Sequence, residues 1–138
     1  MKIDNFSSEI NDSLLAFGVD VALLQEVNVD GNNATTNNYD WFISNRCNAN
    51  KSRGLAFLIR KNCSFALLDL RTINYNIMSG KIASKINSND LLVVNVHAPN
   101  SNSNDFFSVL GNLINKNQQK KITVSHLLKH WFSQIFTG

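Results

Sequence analysis

The sequence predicts a layered α/β fold with much antiparallel pairing. Three observations carry this. Two segments, 5 to 17 and 103 to 116, repeat their apolar residues every three or four positions, the period of a half-buried helix. Between them lie short apolar or alternating runs bounded by polar, Asn-rich stretches, as strands are. Those strands follow one another through turns rather than helices, so the strict alternation of a doubly wound nucleotide fold is not expected. No glycine-rich phosphate loop occurs, which argues against a P-loop or Rossmann enzyme.

The elements follow in order. In NFSSEINDSLLAF, Phe6, Ile10, Leu14 and Phe17 share a face, with Ser7 or Ser8 as the expected cap and Gly18 as the stop. In DVALLQE, the strand Val21 to Gln25 is aliphatic apart from its last residue and reads as buried on both faces. It is followed at once by Glu26. VDGNNATTNNYD reads as a polar loop with an Asp-Gly turn signal, and YDWFIS, 39 to 44, as an aromatic strand. RCNANKSRG is a second polar loop. GLAFLIR, 54 to 60, is a buried strand with Leu55, Phe57 and Ile59 on one face and Ala56 and Leu58 on the other. After a turn at KNCS, FALLDLRTI alternates Leu68, Leu70 and Thr72 against Asp69 and Arg71. Ile82 and Ile86 belong to the next expected strand, Asn87 to Asp90 to a turn, and Leu91 to Val96 to a further strand, together a hairpin. A helix capped by Ser103 or Asn104 presents Phe106, Leu110, Leu113 and Ile114, and Lys121 to Val124 begins one more strand.

Composition sets bounds on function. With 138 residues, 43% hydrophobic and nine Phe, the chain suits a folded domain rather than a disordered one. Its net charge of +3 is mild and scattered, with KNQQKK as the densest basic cluster. That is compatible with an anionic partner, although a solvated surface is the better explanation of this feature alone. Cys47 and Cys63 form no CxxC and no zinc-type Cys/His spacing, so free thiols in a reducing compartment are expected. MKIDNFSSEI lacks the apolar core of a secretion signal, and no run approaches a membrane span. The expected setting is intracellular, with no membrane partner. Asn occurs 22 times, dispersed rather than in tracts, so prion-like behaviour is a poor reading. His126 and His130 have helical i, i+4 spacing but no accompanying Glu, and are read as surface residues.

Glu26 poses the question that leads to function. A buried, unpaired carboxylate costs several kcal/mol (roughly,), so an acid at the end of a buried strand must lie at a rim, find a partner or hold a metal. Three stretches bear on the answer: DVALLQE at 20 to 26, RGLAFLIRKN at 53 to 62 and LLVVNVHAPN at 91 to 100. In this order and spacing the chain resembles the endonuclease/exonuclease/phosphatase (DNase I-like) family. It is most similar to the endonuclease domain of non-LTR (LINE-type) retrotransposons, and the DFFSVLGNLI helix adds to the likeness.

The resemblance implies a partial DNase I-like four-layer α/β sandwich, with mixed, largely antiparallel sheets flanked by helices. It implies that Glu26 is a ligand for Mg²⁺ (or Mn²⁺), a hard cation that takes one or two carboxylates and completes its shell with waters and phosphate oxygens. His97 stands where the family has Tyr or His in contact with phosphate, and is the candidate catalytic residue; a hydrogen-bonded strand-end His is the competing reading. Asn100 and Arg53 are candidate substrate contacts, against a turn Asn and a solvated strand-start Arg. The strand ending at His97 is expected beside the strand ending at Glu26 in one sheet.

The implied activity is nicking of DNA by metal-assisted hydrolysis of a phosphodiester. A phosphatase of the same fold acting on phosphoinositides or other phosphoesters, and a non-catalytic decayed or binding module, are the alternatives. The resemblance covers roughly residues 5 to 124 and stops at both ends. The family's first strand, its Asp-x-Asn motif and its terminal Asp-His pair have no counterpart, and no Asp or Glu follows Asp105. The expectation is therefore a truncated domain over 1–124, a divergent tail over 125–138, and no useful activity by the chain alone.

Overall fold

In the computed structural model, residues 5–27, 33–44, 54–74, 76–87, 90–97, 104–116, 122–127 and 134–137 are described. Helix α1 (Asn5–Ala16) ends in a turn at Gly18, whose φ of +68° costs a residue without Cβ little, and β1 (Val19–Val27) follows directly. Then come β2 (Asn33–Thr35), β3 (Tyr39–Ile43), β4 (Gly54–Arg60), β5 (Phe65–Asn74), β6 (Ile77–Ser84) and β7 (Asp90–His97). Helix α2 (Asn104–Lys116), β8 (Ile122–Leu127) and β9 (Gln134–Thr137) complete the order. One sheet runs β2-β3-β4-β1-β9 and the other β5-β6-β7-β8. The described pairings are antiparallel except β7 with β8, which are parallel and joined through α2.

Strand alternation builds the layers. On β1, Val21 and Leu23 face the second sheet and pack with Leu55, Phe57 and Ile59 of β4, Met78 and Ile82 of β6 and Val93 of β7. Ala22 and Leu24 face the other way, toward Trp41, Leu58 and the α1 residues Ile10 and Leu14. Across the second sheet, Ile77, Val94 and Val96 pack against Phe106, Val109 and Leu113 of α2. The order of layers is helix, sheet, sheet, helix, the four-layer arrangement expected. Both faces of β1 and β4 are buried, which is why their sequences are apolar nearly throughout.

Several local expectations are corrected. Ser7 and Ser8 lie inside α1 rather than capping it, and Phe17, one residue past the helix, is 80% exposed. The loop expected at 29 to 40 contains β2, which pairs with β3 as a hairpin closed by the Thr36 N–H to Tyr39 carbonyl bond. Strand β6 starts at Ile77 and ends at Ser84, leaving Ile86 80% exposed in the turn. The Ser84 hydroxyl accepts from the amides of Ile86 and Asn87 and so diverts them from the ladder. The alternation in β5 breaks at Asp69, which has φ +52° inside a register shift between Leu68 and Arg71.

Strand β8 spans Val124, and β9 pairs with β1 in the register Val21↔Phe136. No described helix is long and apolar enough to cross a membrane. Cys63 is a buried free thiol, whereas Cys47 and His130 lie outside the described residues, as does the side chain of His126.

Candidate functional site

Three inward-facing residues of β7 grade from apolar to polar toward the rim of the sandwich. Val93 lies in the core between the sheets, Asn95 is fully buried, and His97 is 5% exposed at the strand's end. On β1 the corresponding row is Val21, Leu23 and Gln25. An unbroken strand would then put Val27 on that row and turn Glu26 toward α1. The structure does the opposite. Leu24 pairs with Ala56 and Val27 with Gly54, so Gln25 and Glu26 together oppose the single residue Leu55. This is a β-bulge, and Glu26 sits in it with φ +57°. The extra residue restores Val27 to the α1 side, where it is 2% exposed, and aims Glu26 at the rim between the sheets.

Glu26 is one of three described non-glycine residues at positive φ, with Asn62 and Asp69. Asn and Asp tolerate this region because their short side chains bond locally; Glu has no such excuse. An observed strain of this kind, at the one exposed residue of a buried strand, points to use of the side chain.

Glu26 Oε1 lies 3.2 Å from His97 Nε2, with the carboxylate side chain 40% and the imidazole 6% exposed. The contact forms with the proton on Nε2 and the carboxylate accepting it. The structure thus brings together two of the residues singled out from sequence. It also corrects the expected route. Strands β1 and β7 do not neighbour each other in one sheet; they belong to facing sheets, and the pair closes across the sandwich. Arg53 and Asn100 lie outside the described residues.

Behind the pair is a buried polar network that inspection of the sequence did not single out. Asn95 Nδ2 donates to the carbonyls of Leu24 at 3.0 Å and Ala56 at 3.1 Å, and Asn95 Oδ1 accepts from Gln25 Nε2 at 2.6 Å. The two carbonyls fix which end of the Asn95 amide is the donor, and this in turn fixes Gln25. The available signal was an Asn in the middle of the apolar run LLVVNVH, where a buried amide requires partners. The N–H of His97 donates to the Asn76 carbonyl at 2.9 Å, tying the end of β7 to the start of β6.

Among the described residues, no group of three or more His, Cys, Asp or Glu side chains stands close enough to hold a metal ion. The donor set at the rim is one carboxylate and one imidazole. A single half-exposed carboxylate fits Mg²⁺ or Mn²⁺, which keep several waters and take phosphate oxygens as further ligands. It does not resemble a closed structural zinc site.

No family model matches the chain, and no curated protein matches it. Solved structures do match. One is the structure of the human Nocturnin catalytic domain with bound sulfate anion, which superposes with a TM-score of 0.55 at 17% sequence identity. The likeness covers 85% of this chain and 54% of that one, so the chain spans about half the length of this neighbour. By fold, the chain is a partial DNase I-like four-layer α/β sandwich.

Proposed function

We propose that the chain is a phosphodiesterase-type domain in which Glu26 holds Mg²⁺ or Mn²⁺ and His97 contacts the phosphate of a nucleic-acid substrate, DNA in the retroelement-endonuclease reading. One observation carries the proposal. A strained bulge delivers a carboxylate to the rim of the inter-sheet cleft, 3.2 Å from an imidazole supplied by the facing sheet. The DNase I-like fold and the mild positive charge agree with it.

The ion, when bound, would supply charge stabilisation for a pentavalent phosphate. The chain's own residues bind and orient. Glu26 offers an oxygen ligand from a rigid strand end. His97 donates its Nε2 proton to a non-bridging phosphate oxygen, exchanging the Glu26 carboxylate for the substrate as acceptor. Burial of the imidazole holds it in one orientation, so the donor is in place before substrate arrives.

Mn²⁺ binding to the wild-type chain and to Glu26→Ala, followed by electron paramagnetic resonance, tests the reading. Loss of the bound-ion population in Glu26→Ala supports it, and equal affinity in the two proteins removes it. Competition of a DNA oligonucleotide against a soluble phosphoinositide for the His97 imidazole, read by NMR, separates the nuclease from the phosphatase alternative.

A further inference from the structure

We propose that Asn95, acting with Gln25, is a positioning residue: it locks the Glu26 bulge and so sets the acid opposite His97. This rests on the reading of Glu26 and His97 as the functional pair, but it concerns residues that touch neither ion nor phosphate.

Two residues facing one disrupt the regular cross-strand bonds and leave local backbone groups in need of partners. The carbonyls of Leu24 and Ala56 belong to the last regular pair before the bulge, and both receive a proton from Asn95 Nδ2, at 3.0 and 3.1 Å. The donor comes from the other sheet. Its remaining polar atom, Oδ1, is engaged by Gln25, the first residue of the bulge, at 2.6 Å. Asn95 therefore binds the strand before the bulge, the strand opposite it, and the residue within it.

Packing alone does not call for an amide here. One step inward on the same face of β7 is Val93, in an apolar cluster, and Asn95 itself is fully buried. A buried Asn is tolerated only with its bonds made, so an apolar residue would be the simpler way to fill this space. What the amide adds is a fixed backbone at Gln25 and Glu26. Without it, β1 is free to relax to a regular strand, which turns the Glu26 carboxylate toward α1 and away from His97. Asn95 and His97 also share one face of β7, two residues apart, so the residue that fixes the acid is carried by the strand that presents the imidazole.

The test uses the full chain, isotope-labelled and without metal. The backbone carbon chemical shifts of Glu26 report whether it is left-handed or extended. Asn95→Leu is expected to move Glu26 to extended-strand shifts while the signals of α1 and of Phe106 and Leu113 on α2, beyond the far faces of the two sheets, stay in place. Gln25→Met should shift Glu26 the same way. In parallel, Mn²⁺ affinity should fall about 10–100-fold in Asn95→Leu, the size of effect that groups supporting a metal ligand usually have.

A folded Asn95→Leu protein that keeps left-handed Glu26 shifts overturns the proposal. If Asn95→Leu does not fold, Asn95→Ser, which keeps one donor, and Gln25→Met are judged by the same shifts. Two separate failures can be told apart. A wild-type chain that binds no Mn²⁺ yet shows the expected shift changes removes the metal reading and leaves the clamp standing. Mn²⁺ binding that depends on Glu26 but is indifferent to Asn95 does the reverse.

Discussion

Replacing Glu26 by Gly should give a more stable protein than replacing it by Ala, the reverse of the usual order in a strand. A left-handed conformation costs an L-residue roughly 1–2 kcal/mol, and Gly escapes this cost. Gly in turn loses about 0.5–1 kcal/mol relative to Ala through the greater freedom of its unfolded chain. At φ +57° the first effect is the larger, so Glu26→Gly should exceed Glu26→Ala by about 0.5–1 kcal/mol. Both variants lose the 3.2 Å contact with His97, so that loss cancels in the comparison. Urea unfolding followed by circular dichroism measures it: with a slope of about 1–3 kcal/mol/M, the midpoints should differ by a few tenths of a molar or more. Ala22→Gly, at a regular position of the same strand, is the control and should be destabilising. If Glu26→Gly unfolds at the same urea concentration as Glu26→Ala or lower, Glu26 is not held in a strained bulge, and the inference from strain to function goes with it.

Four further outcomes are expected. Burial pushes the Tyr39 phenol above its ordinary value, with the Arg60 guanidinium pulling the other way, and its hydroxyl donates to the Val19 carbonyl. The folded state therefore favours the neutral phenol; its contribution is intact below about pH 10 and is lost as pH rises beyond it. Urea titrations from pH 8 to 11 should show a falling stability that Tyr39→Phe flattens. Arg60→Ala leaves the buried Asp20 carboxylate without the partner now 2.6 Å away and should cost about 1–3 kcal/mol, the lower part of that range because Arg60 is a third exposed; Asp20→Asn should recover part of it. Gly80→Ala places a Cβ 2.5 Å from Leu67 Cδ1, the tip of a half-buried side chain that can swing aside, so the loss in thermal unfolding should stay below about 1 kcal/mol, and a larger loss would show that Leu67 is held in place. Finally, the rim site as described, one carboxylate and one imidazole, should not support nicking of supercoiled plasmid with Mg²⁺ above a Glu26→Ala control, since a site without a general base is about 10²–10⁴-fold slower; nicking that Glu26→Ala abolishes would refute this.

What could be read from sequence was whatever depends on periodicity. The apolar faces of β4, with Leu55, Phe57 and Ile59 against Ala56 and Leu58, lie as the alternation requires, because a buried strand has only two faces to assign. Ile10 and Leu14 pack as helical spacing demands. Glu26 and His97 stood out because each breaks an apolar run at its end. Bulges did not stand out. Asp69 interrupts β5 and Glu26 interrupts β1 with no Gly to mark either place, and both side chains point where pure alternation would not put them. The assignment of β1 and β7 to different sheets was equally hidden, because hydrophobic patterns label buried faces but not which sheet a buried strand joins. Asn95 and Gln25 gave only the weak signal of amides in apolar company, and their meaning emerges only once the two sheets face each other.

The spacing of these four residues explains why the strain exists at all. Each of the two strands supplies one buried amide and one rim group. On β7 these are Asn95 and His97, two positions apart, and an ordinary pleat keeps both on the inner face. On β1 they are Gln25 and Glu26, adjacent in sequence, and an ordinary pleat would send them to opposite faces. A strand that must present neighbouring residues to the same side has one economical solution, which is to insert an extra residue in the ladder at that point. The positive φ of Glu26 and the register shift opposite Leu55 are thus consequences of a short motif, Leu24-Gln25-Glu26, that carries a clamp and an acid side by side. The clamp is needed because the bulge is strained, and the strain arises because clamp and acid are neighbours. Fold and site are coupled at this spot, so a variant that relaxes the strand should gain stability only by moving the carboxylate away from His97.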